Sequence, residues 1–235
     1  MEFESLVVYG IEFFVITTLF VLIILFFVRM LRNRSEKKQE YAIAVIQEAL
    51  PEYLYTLDPA YLEILEPYTK SGSGRDLLIE YLIDIHSELN GTIKQAAKSL
   101  YFDLGLQSDS ESKMKSLRWF EKVAGIKETT LMENSDGYEL VKDCLSHSDP
   151  EVRRSAKIGM VELKKIKGLK DLALVNDPLS DWSFMSIHSI LSRHPYKIRK
   201  KDLKILKEAN NPSVRKLARL LNSLSTDNLI TVEDQ

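Results

Sequence analysis

Along most of this chain the apolar residues recur three or four positions apart, which is the spacing of one face of an α-helix. After Ser35 the spacing holds over residues 41–49 and 77–89, and the alternation typical of a β-strand is absent. Prolines, glycines and Asx residues interrupt it and leave helices of about 10 to 17 residues. We therefore predict an all-α chain of helices joined by short turns. The expected interruptions include Pro51, Pro67, residues 71–74, Gly125 and Gly168.

One segment near the N-terminus is apolar without interruption. Residues 13–28 read FFVITTLFVLIILFFV, and the apolar stretch extends upstream to Leu6, interrupted only by Glu12. About 23 residues are enough to cross the hydrocarbon core of a bilayer as a helix. A cleaved signal peptide would have a basic start and small residues at its cleavage site. Here Glu2 and Glu4 precede the stretch and bulky residues close it, so we predict one uncleaved transmembrane helix.

Basic residues follow the apolar segment, and none precedes it. They are Arg29, Arg32, Arg34, Lys37 and Lys38. By the positive-inside bias this asymmetry predicts a single-pass protein of the cell membrane, with its N-terminus outside and its C-terminal domain in the cytoplasm.

The sequence leaves two interpretations of Glu12 open. If the span starts at Phe13, the carboxylate lies at the outer interface of the membrane. If it starts at Leu6, the carboxylate lies within the bilayer and requires a polar partner on another transmembrane helix.

Two segments in the C-terminal half share an eight-residue pattern. Residues 149–156 read DPEVRRSA, and residues 211–218 read NPSVRKLA. The first residue would cap a helix, the proline fits the first turn, and the valine and alanine share the inward face. The copies are 62 residues apart, or twice 31, so a degenerate middle copy is expected at residues 180–183 with Ile187. Residues 90–97, NGTIKQAA, form a looser copy.

This Asp-Pro-x-Val-Arg-x-x-Ala pattern resembles the second helix of HEAT repeats. The resemblance extends over most of residues 75–224 and implies a right-handed α-α superhelix of four or five HEAT-like repeats. It also implies a buried valine and alanine between repeats, and a structural arginine that contacts an acidic residue of a neighbouring repeat. The implied core positions are Val152, Ala156, Val214 and Ala218, and the implied structural arginines are Arg153 and Arg215.

These features divide the chain into four parts. We predict a transmembrane anchor with a basic cytoplasmic flank over residues 1–34. A helical linker or N-terminal cap follows over residues 35–74, then the HEAT-like repeat domain over residues 75–224. Residues 225–235 form a polar tail.

Composition and charge narrow the classes of partner. Of the 235 residues, 45% are hydrophobic and 28% are charged, which is the balance of an ordinary globular protein. The formal net charge of -2 lacks the basic excess of a dedicated nucleic-acid binder, so we expect no nucleic acid as main partner. The single cysteine, Cys144, excludes an intramolecular disulfide and is expected to pack as a small hydrophobic residue.

No motif in the chain points to catalysis. The four histidines lack paired metal-ligand spacing, and His147 with Cys144 supplies only two ligands. The Ser-Gly-Ser-Gly run at residues 71–74 lacks the neighbours of a phosphate-binding loop, and no nucleophile elbow is present. We therefore expect no catalytic residue, no cofactor and no metal.

Basic residues on two predicted helices are the candidates for partner contact. One group lies on the second helix of the central repeat, since second helices line the inside of HEAT solenoids. The other falls on one side of a helix within residues 197–207, where a solvated face is the plainer interpretation. With the anchor carboxylate, the candidate residues are Glu12, Arg154, Lys157, Lys164, Lys200 and Lys204.

The leading functional hypothesis is a membrane-anchored, non-catalytic scaffold that binds a partner, an integral membrane protein, at the cytoplasmic face. The layout of the chain and the helix end at residues 101–106 resemble bacterial membrane HEAT proteins that accompany family-2 glycosyltransferases. That resemblance implies an accessory role in polysaccharide synthesis. Two alternatives stay open: a signalling adaptor, and a HEAT-like enzyme such as a phycobilin lyase or a DNA glycosylase.

Overall fold

The computed structural model describes residues 2–193, 197–226 and 231–233, and this part of the chain is predominantly helical, which confirms the coarse prediction. The α-helices are α1 (Glu2–Thr56), α2 (Pro59–Thr69), α3 (Gly72–Glu88), α4 (Thr92–Asp103), α5 (Gln107–Lys115), α6 (Trp119–Leu131), α7 (Tyr138–Asp143), α8 (Pro150–Lys164), α9 (Ile166–Ala173), α10 (Asp181–Ser192), α11 (Lys200–Lys207) and α12 (Pro212–Thr226). Short 3-10 helices, Ser135–Gly137 and Cys144–Ser146, flank α7. Two short strands that the apolar pattern does not predict, β1 (Lys197–Arg199) and β2 (Thr231–Glu233), pair in parallel.

The N-terminal part of α1 is an apolar helix of membrane-spanning length. Over Phe13–Met30 it is long and apolar enough to cross a membrane, and none of it is buried against the rest of the chain. The hydroxyls of Thr17 and Thr18 each donate to a carbonyl four residues earlier at 2.8 Å, which satisfies them within the helix. The apolar helix is therefore confirmed, while its orientation stays a prediction.

Helix α1 runs without interruption from Glu2 to Thr56, past the interruption predicted at Pro51. The boundary predicted between the anchor and the linker, at residues 34 and 35, therefore lies inside this helix. Ile46 and Leu50 are fully buried on the last part of α1, which contacts α2. Burial of this face offsets the hydrogen bond that the proline removes.

The interruptions predicted at Pro67 and Gly125 are also wrong, since these residues lie inside α2 and α6. The interruption predicted at residues 71–74 is confirmed, because α2 ends at Thr69 and α3 begins at Gly72, and the one predicted at Gly168 lies three residues earlier, at Lys165.

The chain divides into two compact units, Met1–Leu78 and Ile79–Gln235, with the division inside α3. The buried apolar residues of the first unit are Ile46, Ala49, Leu50, Leu54, Leu65 and Leu78. The second unit holds a larger core. Four of its fully buried positions are those implied by the HEAT-like pattern: Val152, Ala156, Val214 and Ala218.

Four helices of the second unit begin at a regular spacing. Helices α6, α8, α10 and α12 start directly after four residues that are 31 positions apart: Arg118, Asp149, Ser180 and Asn211. The middle copy is confirmed as a helix start, because Ser183 and Ile187 are buried at the positions of the valine and alanine. The looser copy at residues 90–97 falls outside this spacing, where Gly91 precedes α4 with φ 74° and no side-chain cap.

Side-chain caps fix three of these helix starts. The Asp149 carboxylate accepts from the amides of Glu151 and Val152 at 2.8 and 3.4 Å. The Ser180 hydroxyl accepts from an amide three residues on at 3.2 Å, and the Asn211 carbonyl oxygen from one two residues on at 3.0 Å. Each cap satisfies backbone donors that have no partner inside the helix, as predicted for the first and last copies.

The two arginines of the pattern make the same contacts. A guanidinium nitrogen of Arg153 donates to the carbonyls of His147 and Ser148 at 2.8 and 2.7 Å. Arg215 donates to the carbonyls of Ala209 and Asn210, also six and five residues earlier, at 2.6 and 2.8 Å. Both arginines therefore hold the turn that precedes their helix, which confirms a structural role.

Four helices of the second unit pack one on the next. Helix α6 packs on α8, α8 on α10, and α10 on α12. The alternate helices lie beside them: α5 contacts α6, α7 contacts α8, and α11 contacts α12, while α9 contacts both α8 and α11. The row of α6, α8, α10 and α12 is called the second-helix row below.

Gly125 should be intolerant of a side chain, because a Cβ there would lie against the Ser110 carbonyl and 2.8 Å from the Met114 amide of α5. We expect Gly125→Ala to lower the free energy of unfolding by about 1–3 kcal/mol through overpacking. Chemical denaturation of the full chain in detergent, followed by circular dichroism, measures the loss. Gly72→Ala is the matched control, since nothing lies within 4 Å of its Cβ position. Equal effects of the two substitutions would contradict this account of α5–α6 packing.

Candidate functional site

Three helices of the second-helix row, α6, α8 and α10, line a groove in the second unit. The groove has a volume of about 910 Å³, and its walls come from α6, α8 and α10, with the end of α3 and the start of α4 at one side. Gly159 of α8 lies on its floor, where a Cβ would approach the Thr130 hydroxyl of α6 to 2.7 Å. The absence of a side chain at this position lets α6 and α8 pack closely beneath the groove.

Helix α10 supplies an apolar wall that is open to solvent. Trp182 and Met185 line the groove with 69% and 62% of their surfaces exposed, and Ile158 of α8 lies among the lining residues. Trp182 falls within the middle copy expected at residues 180–183, but it is not among the residues predicted to contact a partner. The missed signal is that positions 182, 185, 189 and 193 follow helical spacing on the face opposite to Ser183 and Ile187.

The charged groups that line the groove are mainly basic. Four cationic side chains, Lys94, Lys127, Arg154 and Arg193, face two carboxylates, Glu133 and Glu162. Lys127 and Arg193 are exposed, whereas Arg154 forms an ion pair with Glu151. Lys94 Nζ lies 3.7 Å from Glu133, so the basic excess of the lining comes mainly from Lys127 and Arg193.

Both carboxylates of the groove are held by lysines. Lys98 Nζ lies 2.8 Å from Glu133, and Lys165 Nζ lies 2.9 Å from Glu162. Burial raises the pKa of Glu133, but the hydrogen bond and the charge of Lys98 outweigh it and keep the pKa below its ordinary value. Glu133 has φ 52° at the end of α6, a left-handed conformation that directs the chain away from the helix.

His86 lies at the α3 side of the groove and is almost fully buried. Its Nε2 makes no hydrogen bond to any residue that the structure describes. Burial lowers the pKa of His86, and the charge of Lys94 lowers it further, so the imidazole is neutral near pH 7. A neutral, enclosed imidazole contributes no charge to the groove.

Of the residues predicted to contact a partner, only Arg154 lines the groove. Lys164 is half-buried on α8 outside the groove lining, and Lys200 and Lys204 are exposed on α11. Glu12 belongs to α1, but its side chain lies outside the described residues.

Lys157 is among the residues predicted to contact a partner, but its ammonium is not available at the surface. It is 5% exposed, and its ammonium donates to the Asp177 carboxylate at 2.7 Å and to the Pro178 carbonyl at 3.1 Å. Arg153 Nε also lies 3.5 Å from Asp177. Lys157 is therefore a structural residue that ties α8 to the segment before α10, because a buried ammonium requires such partners.

Among the residues that the structure describes, no group of three histidine, cysteine, aspartate or glutamate side chains is placed to hold a metal ion. Cys144 is buried as predicted, and burial raises the pKa of its thiol, which keeps it protonated near pH 7. Tyr101 is buried too and donates to the Ser110 hydroxyl at 2.9 Å, which in turn donates to Glu128 at 2.7 Å. Burial raises the pKa of Tyr101 to about 12, so this chain of hydrogen bonds links α4, α5 and α6 without an ionised phenol.

Comparison of the chain with protein-family models, with curated proteins and with solved structures gives no match.

The Asp177 contacts should make stability depend on pH in acid. The Lys157 hydrogen bond holds the pKa of Asp177 below its ordinary value of 3.8, so its stabilising contribution is complete above that value. It is lost as the pH falls through the folded-state pKa. At neutral pH, Asp177→Asn should lower the free energy of unfolding by about 1 kcal/mol, because the carboxylate is partly exposed and screened.

Urea denaturation at neutral pH and at a pH below the folded-state pKa measures this effect. The difference between wild type and Asp177→Asn should shrink towards zero in acid. Asp84→Asn, which changes an exposed carboxylate of the same unit, should have little effect at either pH. A deficit for Asp177→Asn that is independent of pH would contradict an electrostatic role.

Proposed function

We propose that this protein is a non-catalytic scaffold, tethered to the cell membrane by α1, whose groove binds an acidic segment of a partner protein. The observation that carries the proposal is the groove itself, where exposed Trp182 and Met185 lie beside the basic residues Lys127 and Arg193. An exposed apolar wall with a basic surround suits a segment that combines carboxylates with apolar side chains.

The dimensions of the groove support a chain segment as its occupant. Neighbouring packed helices lie about 8–10 Å apart, so three helices of the second-helix row span roughly 20 Å. An extended chain of about six residues covers that distance. In the proposed complex an apolar side chain contacts Trp182 and Met185, and flanking carboxylates meet Lys127 and Arg193.

A HEAT-like superhelix is part of this proposal. The spacing of 31 residues, the repeated caps, the matching arginine contacts and the successive packing of α6, α8, α10 and α12 support it. In this interpretation α5–α6, α7–α8 and α11–α12 are helix pairs, α9 departs from the pattern by packing on α8 and α11, and the second-helix row is the concave side. Stacked repeats provide an extended binding surface without catalytic groups.

A binding role is better supported than an enzymatic one. A glycosylase or lyase requires an acid-base group that is free to reach its substrate. Glu133 and Glu162, the carboxylates of the groove, are each engaged by a lysine, and His86 is enclosed. The partner that we propose is an integral membrane protein, and the resemblance noted above suggests a family-2 glycosyltransferase in polysaccharide synthesis.

The proposed orientation places the second unit in the cytoplasm, with the N-terminus outside. An alkaline phosphatase fused after Gln235 should be inactive, because its disulfides form only outside the cytoplasm. A green fluorescent protein at the same position should be fluorescent. In a control chain, Arg29, Arg32 and Arg34 become glutamate while Glu2 and Glu4 become lysine, which should activate the phosphatase. An active phosphatase on the wild-type chain would reject the orientation.

The groove is tested with charge reversal at positions that the structure leaves exposed. Lys127→Glu with Arg193→Glu should weaken binding of a fluorescent peptide with two carboxylates around a leucine by about tenfold or more. Fluorescence anisotropy with the full chain in detergent measures the affinity. A peptide with lysines in place of the carboxylates should bind the variant better than the wild type.

Lys201→Glu with Lys204→Glu is the matched control, since it reverses two exposed cations on α11 outside the groove. This pair should leave peptide affinity and co-purification of the membrane partner unchanged. Loss of binding in the α11 pair, with full binding in the groove pair, would move the site to α11 and reject the groove.

A further inference from the structure

The turn between α5 and α6 exposes three large apolar side chains in a stretch of four residues. Leu117 is 98% exposed, Trp119 is 48% exposed and Phe120 is 51% exposed. None of them lines the groove, so the proposed function does not use them. Single exposed apolar residues are common on protein surfaces, but a cluster of this kind marks an interaction site.

The turn holds a defined conformation. The Ser116 hydroxyl accepts from the Arg118 amide at 3.2 Å and donates to Glu121, while the Arg118 guanidinium lies 2.9 Å from Glu121. The rings of Trp119 and Phe120 meet edge to face, with centroids 6.0 Å apart. These contacts hold the backbone of the turn and orient the two rings relative to each other, which reduces the conformational entropy that binding costs.

A lipid surface fits this turn better than another protein does. Three side chains at one turn offer far less area than the roughly 800 Å² per partner of a stable protein interface. Tryptophan, phenylalanine and leucine beside basic residues are the composition of segments that insert into the membrane interface. Exposed Lys115 supplies such a charge, and exposed Arg118 supplies a second one that it shares with Glu121. The apolar helix of α1 also keeps a bilayer at high effective concentration, so a weak contact suffices.

We propose that the α5–α6 turn is a second membrane contact, in which Leu117, Trp119 and Phe120 enter the interface of the bilayer. Lys115 and Arg118 lie at the level of anionic headgroups. The contact uses no residue of the groove lining. With this contact, the second unit is attached to the membrane through its own surface as well as through α1.

The two tryptophans of the chain allow a direct test, because α1 contains none. The Trp182→Phe variant leaves Trp119 as the sole reporter, and Trp119→Phe leaves Trp182. Each full-length variant is reconstituted in vesicles of phosphatidylcholine and phosphatidylglycerol, with brominated or unbrominated acyl chains. Trp119 should lose most of its emission in brominated vesicles and emit at shorter wavelength, whereas Trp182 should keep its emission.

Further variants connect the quenching to the turn. Leu117→Ser with Phe120→Ser should restore most of the Trp119 emission, and Lys115→Glu with Arg118→Glu should do so in vesicles that contain phosphatidylglycerol. Leu174→Ser is the matched control, because this leucine of the same unit is 78% exposed away from the turn. It should leave the quenching unchanged. Circular dichroism checks that each variant is folded.

Two results would overturn the proposal. If brominated lipid spares Trp119 while aqueous acrylamide quenches it, the turn lies in water. If neither agent quenches Trp119, protein covers the turn, either a second copy of the chain or another protein, and the lipid contact is rejected.

Discussion

The buried ammonium of Lys157 is the interaction on which the arrangement of the second unit depends. It lies in α8, but its partners, Asp177 and Pro178, lie in the segment that leads into α10. The side-chain amide of Asn211, which caps α12, donates to the Val175 and Asp177 carbonyls of the same segment at 2.9 and 3.1 Å. Three consecutive helices of the second-helix row thus meet at one connection, and an unpaired ammonium at this depth would be too costly for the connection to open.

The connection between α8 and α10 also determines which basic residues of the second unit remain available to bind a partner. Lys157 and Arg153 are engaged with Asp177, so positive charge on α8 is partly used for structure. The positive charge of the groove therefore comes mainly from exposed cations of α6 and α10. Trp182 of the same groove lies five residues after Asp177. Because α10 begins four residues after Asp177, the ion pair contributes to the placement of the helix that carries the apolar wall.

The sequence predicts those parts of the fold that local chemistry determines. The caps at Asp149 and Asn211, and the buried Val152 and Ala156, can be read from the sequence because each involves residues within a few positions. The sequence does not mark the start of α6, because Arg118 and Trp119 stand where the first and last copies of the pattern have an Asp-Pro or Asn-Pro pair. Only the spacing of 31 residues continues to this helix. The sequence predicts helix interruptions at Pro51 and Gly125, but tertiary packing outweighs the low helix propensity of these residues. The role of Lys157 could not be predicted, because its partner lies 20 residues away and only the packed helices bring them together.

The two proposed surfaces share helix α6 and constrain each other. The apolar turn directly precedes α6, and Lys127 of the groove lies eight residues after Trp119. At 1.5 Å per residue, Lys127 is about 12 Å along the helix axis from the ring that we propose enters the interface. If the turn rests on the bilayer, the α6 wall of the groove lies close to the headgroups, and anionic lipid there disfavours a free acidic peptide. The two proposals together therefore predict an acidic segment that is already held at the membrane, directly adjoining a transmembrane helix of the partner.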